Sequence, residues 1–171
     1  PTIDPKSPRD VIAAGLPAVN NGSLAWGDHD NDGDLDLAMS GWTGTERLTR
    51  IYRNDGASFV NSGVNMTGVN YGQIAYADYD NDGDQDLFIG GRVTPERWPI
   101  TPPSYVLRND RNRLTDVTAL AGGDFAKCGM VTDLSWADLD KDGHAELIVV
   151  GEFMPVSIFK CVGGMLKNVN G

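Results

Sequence analysis

The residues best placed to do chemistry in this chain are Asp28, Asp30, Asp32, Asp34 and Asp36, five carboxylates on alternate residues around Gly33. Carboxylates spaced that closely repel one another unless a hard cation sits among them, and Ca²⁺ prefers oxygen ligands at about 2.3–2.6 Å. In such a loop the first, third, fifth and ninth residues supply side-chain oxygens. The seventh supplies a backbone carbonyl, and the glycine at six makes the sharp turn. The spacing therefore predicts a calcium site of Asp28, Asp30, Asp32 and Asp36 with the carbonyl of Asp34.

The same string returns as Asp78, Asp80, Asp82, Asp84 and Asp86 around Gly83, and less regularly as Asp138, Asp140, Asp142, His144 and Glu146 around Gly143. In the third copy Glu146 replaces the last aspartate and Lys141 puts a positive charge inside the loop. Three calcium sites are expected, the third the weakest. An EF-hand would need a glutamate at position 12 and flanking helices, but that position is Met39, Ile89 and Val149 in turn.

Other chemistry has little to work with. The two histidines, His29 and His144, lie inside the acidic loops, so a Ser/His/Asp triad or a zinc site lacks its central ligand elsewhere. No phosphate-cradling glycine loop or dinucleotide fingerprint occurs, and the clustered acids are already explained by metal. The chain is read as a non-enzyme.

The flanks indicate what holds the loops. Ser23 to Gly27 with Leu35 to Ser40, Ile74 to Ala77 with Leu87 to Gly90, and Leu134 to Ala137 with Leu147 to Val150 are short, apolar and partly alternating, as β-hairpins are. Behind each comes a further hairpin. In the first unit Leu48 to Arg53 and Ala57 to Val60 flank the turn Asn54-Asp55-Gly56, in the second Tyr105 to Asn109 precedes Arg113 to Val117, and in the third Val156 to Lys160 precedes Met165 to Val169. One unit is thus four strands. The loops are spaced by 50 and then 60 residues, the extra ten lying in the Pro-rich stretch 92–103.

A chain of 171 residues fits one domain with a real core. Its net charge of −10 disfavours nucleic acid and acidic membranes, yet 14 of the 24 acidic residues lie in the three loops. Three divalent ions would bring the balance to roughly −4. No run approaches the roughly 18 apolar residues of a membrane span. Open surface loops of this type bind calcium in the roughly 10⁻⁴–10⁻³ M range of extracellular modules, which places the chain outside the cytosol: extracellular, on the cell surface or periplasmic. Asn21-Gly22-Ser23 and Asn65-Met66-Thr67 are glycosylation sequons, meaningful only for a secreting eukaryote.

Four-stranded antiparallel units of about 50 residues are the size of β-propeller blades. The fold class expected is all-β, with three calcium-looped blades at about 10–60, 61–116 and 117–169 in one domain. The run Trp26 to Leu37 followed by Ile51 to Gly56 resembles the FG-GAP/VCBS repeats of integrin-α-like propellers and of bacterial surface proteins. Residues 90–152 are similar to bacterial relatives of cartilage acidic protein. The resemblance spans about residues 10–169 and implies a calcium-dependent propeller. It leaves the role open, since such propellers serve adhesion, lectin and lyase functions alike.

Rings need about four to eight blades, so three imply either a piece of a longer protein or closure by association, two copies giving six blades. A homodimer is favoured. Calcium and the Asn-turns occupy one side of the disc. Any protein or glycan ligand is expected on the other, with Arg92, Arg97 and Trp98 as candidates on a Pro-stiffened loop, although aromatic residues are more often core material. Trp26, Tyr76 and Trp136 recur two residues before each loop and are read as packing between blades. Arg53, Arg108 and Lys160 share one position, where the arginines either pair with loop carboxylates or stay solvated. Cys128 precedes a first strand and Cys161 ends a third, which puts them at opposite faces, and both are expected as free thiols. The first function expected is an extracellular recognition scaffold with structural calcium. The alternatives are a fragment of a propeller polysaccharide lyase and an excised or designed fragment without a ligand.

Overall fold

In a computed structural model the described residues are 15–56, 58–64, 66–94, 97 and 100–170. The predicted Trp98, Asn65 and the start of the repeat at Asp10 lie outside them. Twelve strands alternate with turns: β1 Asn20–Gly27, β2 Asp36–Trp42, β3 Arg47–Asn54, β4 Phe59–Asn61, β5 Gln73–Ala77, β6 Asp86–Gly90, β7 Tyr105–Asn109, β8 Leu114–Asp116, β9 Met130–Ala137, β10 Glu146–Glu152, β11 Ser157–Val162 and β12 Met165–Asn168. They form three separate four-stranded antiparallel meanders, β1–β4, β5–β8 and β9–β12, each in sequence order. Sheet formation and strand order are those read from the sequence, and no sheet closes into a barrel. Among the described residues no helix is long and apolar enough to cross a membrane.

The second strand of each sheet explains why alternation was only partial. β2 and β6 are buried nearly end to end, and β10 buries Leu147 and Val149. A strand covered on both faces carries a continuous apolar run. Its two faces feed different cores. Ala38 and Ile51 of the first sheet pack with Ile74, Leu87, Ile89 and Leu107 of the second. Phe88 and Val106 pack in turn with Leu147, Val149 and Phe159 of the third. The core therefore lies between sheets. Leu37, Met39, Leu48 and Tyr52, on the outer face of the first sheet, are covered by Leu16, Val19 and Phe59.

The recurring aromatic position follows this stacking. Trp136 packs against Phe88 with ring centroids 4.6 Å apart, and the Tyr76 ring lies over Gly27. Trp26, on the side of the first sheet with no preceding sheet, meets the Phe59 ring at 6.0 Å with the planes tilted by 53° and stays half exposed. Two residues earlier the contrast repeats: Leu24 is 59% exposed, Ile74 6% and Leu134 9%.

Between the second and third sheets the chain forms a helical turn, α1 Thr118–Ala121, and a 3-10 turn, Phe125–Lys127. Sequence reading assigned no helix to this stretch. It delivers Ala121 and Phe125 into the core, and the amide of Ala126 is held by the Gly122 carbonyl at 3.2 Å.

Candidate metal centres

Each acidic loop is closed by the last pair of its hairpin, Gly27 with Asp36, Ala77 with Asp86 and Ala137 with Glu146. Inside it the first aspartate works as a staple. Asp28 accepts the amides of Asp32 at 3.1 Å and Gly33 at 3.0 Å. Asp78 takes those of Asp82 and Gly83 at the same distances, and Asp138 those of Asp142 at 3.2 Å and Gly143 at 3.0 Å. The fifth residue accepts the amide of the seventh at 2.9 Å in all three loops, Asp32 from Asp34, Asp82 from Asp84 and Asp142 from His144. The turn requires left-handed backbone at residue four as well as six: φ is 57° at Asn31, 60° at Asn81 and 63° at Lys141, against 92°, 96° and 89° at Gly33, Gly83 and Gly143. Asparagine tolerates that conformation better than other residues with a side chain.

The ninth residue ties the loop to the third strand. Asp36, fully buried, accepts the His29 amide at 2.8 Å and the Asn54 amide at 2.7 Å. Asp86 accepts those of Tyr79 at 3.1 Å and Asn109 at 2.8 Å. Glu146 keeps only the first of these bonds, to Leu139 at 2.9 Å. Its extra methylene sends Oε1 toward the loop.

The structure brings together carboxylate oxygens of Asp28, Asp30 and Asp32, of Asp78, Asp80 and Asp86, and of Asp138, Asp140 and Glu146, each set within 4.8 Å. Asp36, Asp82 and Asp142 stand in the same loops as hydrogen-bond acceptors. The side chains of the seventh residues are used elsewhere. Asp84 accepts the side-chain amide of Asn31 at 2.5 Å and the Arg111 amide at 2.7 Å, and His144 Nδ1 meets Asn81 Nδ2 at 2.6 Å.

The first two loops fit a cation by a specific test. Oδ1 of Asp30 and Oδ1 of Asp80 are buried without a hydrogen-bond partner, and a buried carboxylate oxygen left unmatched is costly. In the third loop Glu146 Oε1 is likewise buried without a hydrogen bond, but the Lys160 ammonium stands 3.2 Å away. Burial, then neighbouring carboxylates, raises the carboxyl pKa of Asp30 and Asp80. Burial pushes Asp86 to about 7 despite its two amide donors. These are acids held where a positive charge is needed.

The shared cationic position behaves differently in the third sheet. Arg53 is held by the aspartate of its own turn, Asp55, at 2.6 Å and only grazes Asp30 at 3.7 Å. Arg108 is likewise held by Asp110 at 2.9 Å. At the matching turn position the third sheet has Val162. Lys160 Nζ instead lies 2.6 Å from Asp140, 2.6 Å from Asp142 and 3.2 Å from Glu146.

At the far ends of the sheets Arg92 reaches across to Glu152 at 2.5 Å, joining the second sheet to the third. Arg97 is exposed on a turn, its amide donating to Thr94 and its carbonyl accepting from Ile100. Beside this stretch an open groove of about 1080 Å³ is lined by Pro102, Pro103, Tyr105, Leu120, Ala126, Lys127 and Met165. Sequence reading placed a ligand on this side but missed α1, which forms one wall. It also missed the ties made by Asn31 and Asn81. The repetition of asparagine at residue four was the available signal.

These features define an all-β repeat protein whose unit is a four-stranded antiparallel sheet with an acidic loop between its first two strands. Residues 28–89, from the first loop into the second strand of the second sheet, match the family model of the FG-GAP-like repeat. A search of curated proteins finds no match.

Proposed function

We infer that the chain is a calcium-stabilised β-propeller scaffold, its sheets being blades, which presents a recognition surface to a protein or glycan outside the cytosol. The observation that carries this reading is the pair of buried, unpartnered oxygens, Asp30 Oδ1 and Asp80 Oδ1, inside loops whose amides are already committed to the first and fifth aspartates. A hard divalent ion supplies the missing partner, and the FG-GAP-like match over residues 28–89 agrees with calcium. The groove beside residues 101–103 supports recognition on the side away from the ions. With calcium tenfold above its dissociation constant, each occupied loop adds about 1.4 kcal/mol. Thermal unfolding in chelator and in calcium tests this, with a rise of roughly 5–10 °C expected from two loops. An unchanged midpoint in wild type, or an equal rise in the Asp30→Asn, Asp80→Asn double variant, rejects it. A glycan array run beside a lyase assay on pectic substrates separates binding from turnover.

The free face of the first sheet supports association. Leu24 and Trp26 are about half exposed where their counterparts Ile74, Leu134, Tyr76 and Trp136 pack against the preceding sheet. A second copy of this chain would cover them with the third-sheet end of its chain, where Leu139 of the acidic loop and Val156 just before β11 are exposed. Sedimentation of the 18.4 kDa chain in calcium is expected to show a dimer. Trp26→Ser with Leu24→Ser would return a monomer, and a monomeric wild type removes the idea.

A further inference from the structure

The three acidic loops share a backbone yet differ in where the balancing charge comes from. In the first two, the cation on the third strand is an arginine already engaged by an aspartate of its own turn, Arg53 with Asp55 and Arg108 with Asp110. That engagement is two-pronged: Nε and Nη2 of Arg53 reach Asp55 at 2.6 and 3.3 Å, and those of Arg108 reach Asp110 at 3.1 and 2.9 Å. The guanidinium is thereby held at the edge of the loop, Arg53 Nε 3.7 Å from Asp30 Oδ2, and Asp30 and Asp80 each retain a buried Oδ1 with no hydrogen-bond partner.

Three substitutions act together in the third loop. Val162 replaces the turn aspartate, so the cation has no partner beside it. Lysine replaces arginine, and an ammonium is compact enough to enter a nest of carboxylates that a planar guanidinium does not fit. Glu146 replaces aspartate, and its longer side chain carries Oε1 off the third-strand amide and to within 3.2 Å of Lys160 Nζ. The ammonium thus meets one oxygen from each of Asp140, Asp142 and Glu146. Two of those residues, Asp140 and Glu146, belong to the cluster that would hold an ion. Glu146 Oε1 is buried without a hydrogen bond, as Asp30 Oδ1 and Asp80 Oδ1 are, but it alone of the three has an ammonium 3.2 Å away. The loop also has four carboxylates against five in the others, and Lys141 within it.

We propose that Lys160 is the built-in cation of the third loop, so that the chain takes two calcium ions and the third sheet is folded without one. A divalent ion entering there would have to expel the ammonium and meet Lys141 in the same turn, which opposes binding at both steps. The inference rests on the calcium reading given above and adds which loops it applies to.

The test is a count of bound calcium by titration calorimetry, with amide hydrogen exchange on the whole chain in calcium and in chelator. Wild type is expected to bind two ions, and chelation to raise exchange in residues 28–36 and 78–86 while leaving 138–146 unchanged. Lys160→Gln is expected to bind a third ion. Asp140→Asn is expected to leave the count at two. Three ions in wild type, loss of protection across 138–146 on chelation, or a folded Lys160→Gln chain that still binds two overturns the proposal while leaving the calcium reading standing. A wild type that binds none overturns both. Should Lys160→Gln not fold, the wild-type count and exchange pattern decide alone.

Discussion

The side-chain amide of Asn31 donates to Oδ1 of Asp84 at 2.5 Å, tying the fourth residue of one acidic loop to the seventh of the next, 53 residues on. Asn81 repeats the contact toward His144. Because Asn31 also sits at φ 57°, it holds two roles that substitution separates. Asn31→Gly keeps the backbone at ease and loses the bond, at about 1 kcal/mol. Asn31→Ala loses both, at about 2 kcal/mol. Urea unfolding of the two variants checks the order, and equal losses would remove the backbone argument.

Gly27 is held to glycine by its neighbours. A Cβ there would stand 2.6 Å from the Tyr76 ring and press on the Gln85 carboxamide oxygen, which accepts the Asp28 amide at 3.0 Å. The matching positions in the other sheets are Ala77 and Ala137. Gly27→Ala is expected to cost about 1–3 kcal/mol through overpacking, against well under 1 kcal/mol on average for a surface change. Equilibrium unfolding measures it.

In chelator, stability is expected to fall as pH rises from about 4 to about 7. The Asp86 carboxyl, raised by burial to about 7, binds its proton more tightly folded than unfolded, so its contribution is complete below about 4 and lost through about 7. Asp80, Asp82, Tyr79 and Cys161 face it, and the carboxylates deepen the effect. His29 works the other way: burial lowers its pKa, so acid charges a buried imidazole and costs stability as pH drops below about 6.5. Urea midpoints at pH 5 and 7.5 in chelator, with Asp86→Asn flattening the decline and calcium lifting the higher-pH value, are the check.

Cys128 and Cys161 are free, as their opposite strand positions led one to expect. Burial pushes the Cys128 thiol to about 11 and raises Cys161, with Asp80 and Asp86 adding to the latter. The thiolate is the reactive form, so a buried thiol raised to about 11 reacts far more slowly than an ordinary one. A disulfide-exchange reagent at pH 8 should react slowly with folded protein and fast in urea. Rapid native labelling of Cys128 would show that the strand start is open.

The sequence alone determined the repeat, the hairpins, the strand order and the acidic loops, because each is local: alternate aspartates around a glycine, and apolar runs at the length of a short strand. The first and third aspartates of each loop cluster where the spacing put them. What only the tertiary structure decided is which partner each charged side chain meets. Asp36 and Asp86 spend both oxygens on amides from two elements, Arg92 crosses to Glu152, and Trp26 is half exposed where Trp136 is packed. Lys160 and Arg108 occupy one sequence position, and a valine two residues on turns the lysine into the loop. Those outcomes depend on distances between strands and sheets far apart in the chain, which residue order does not state.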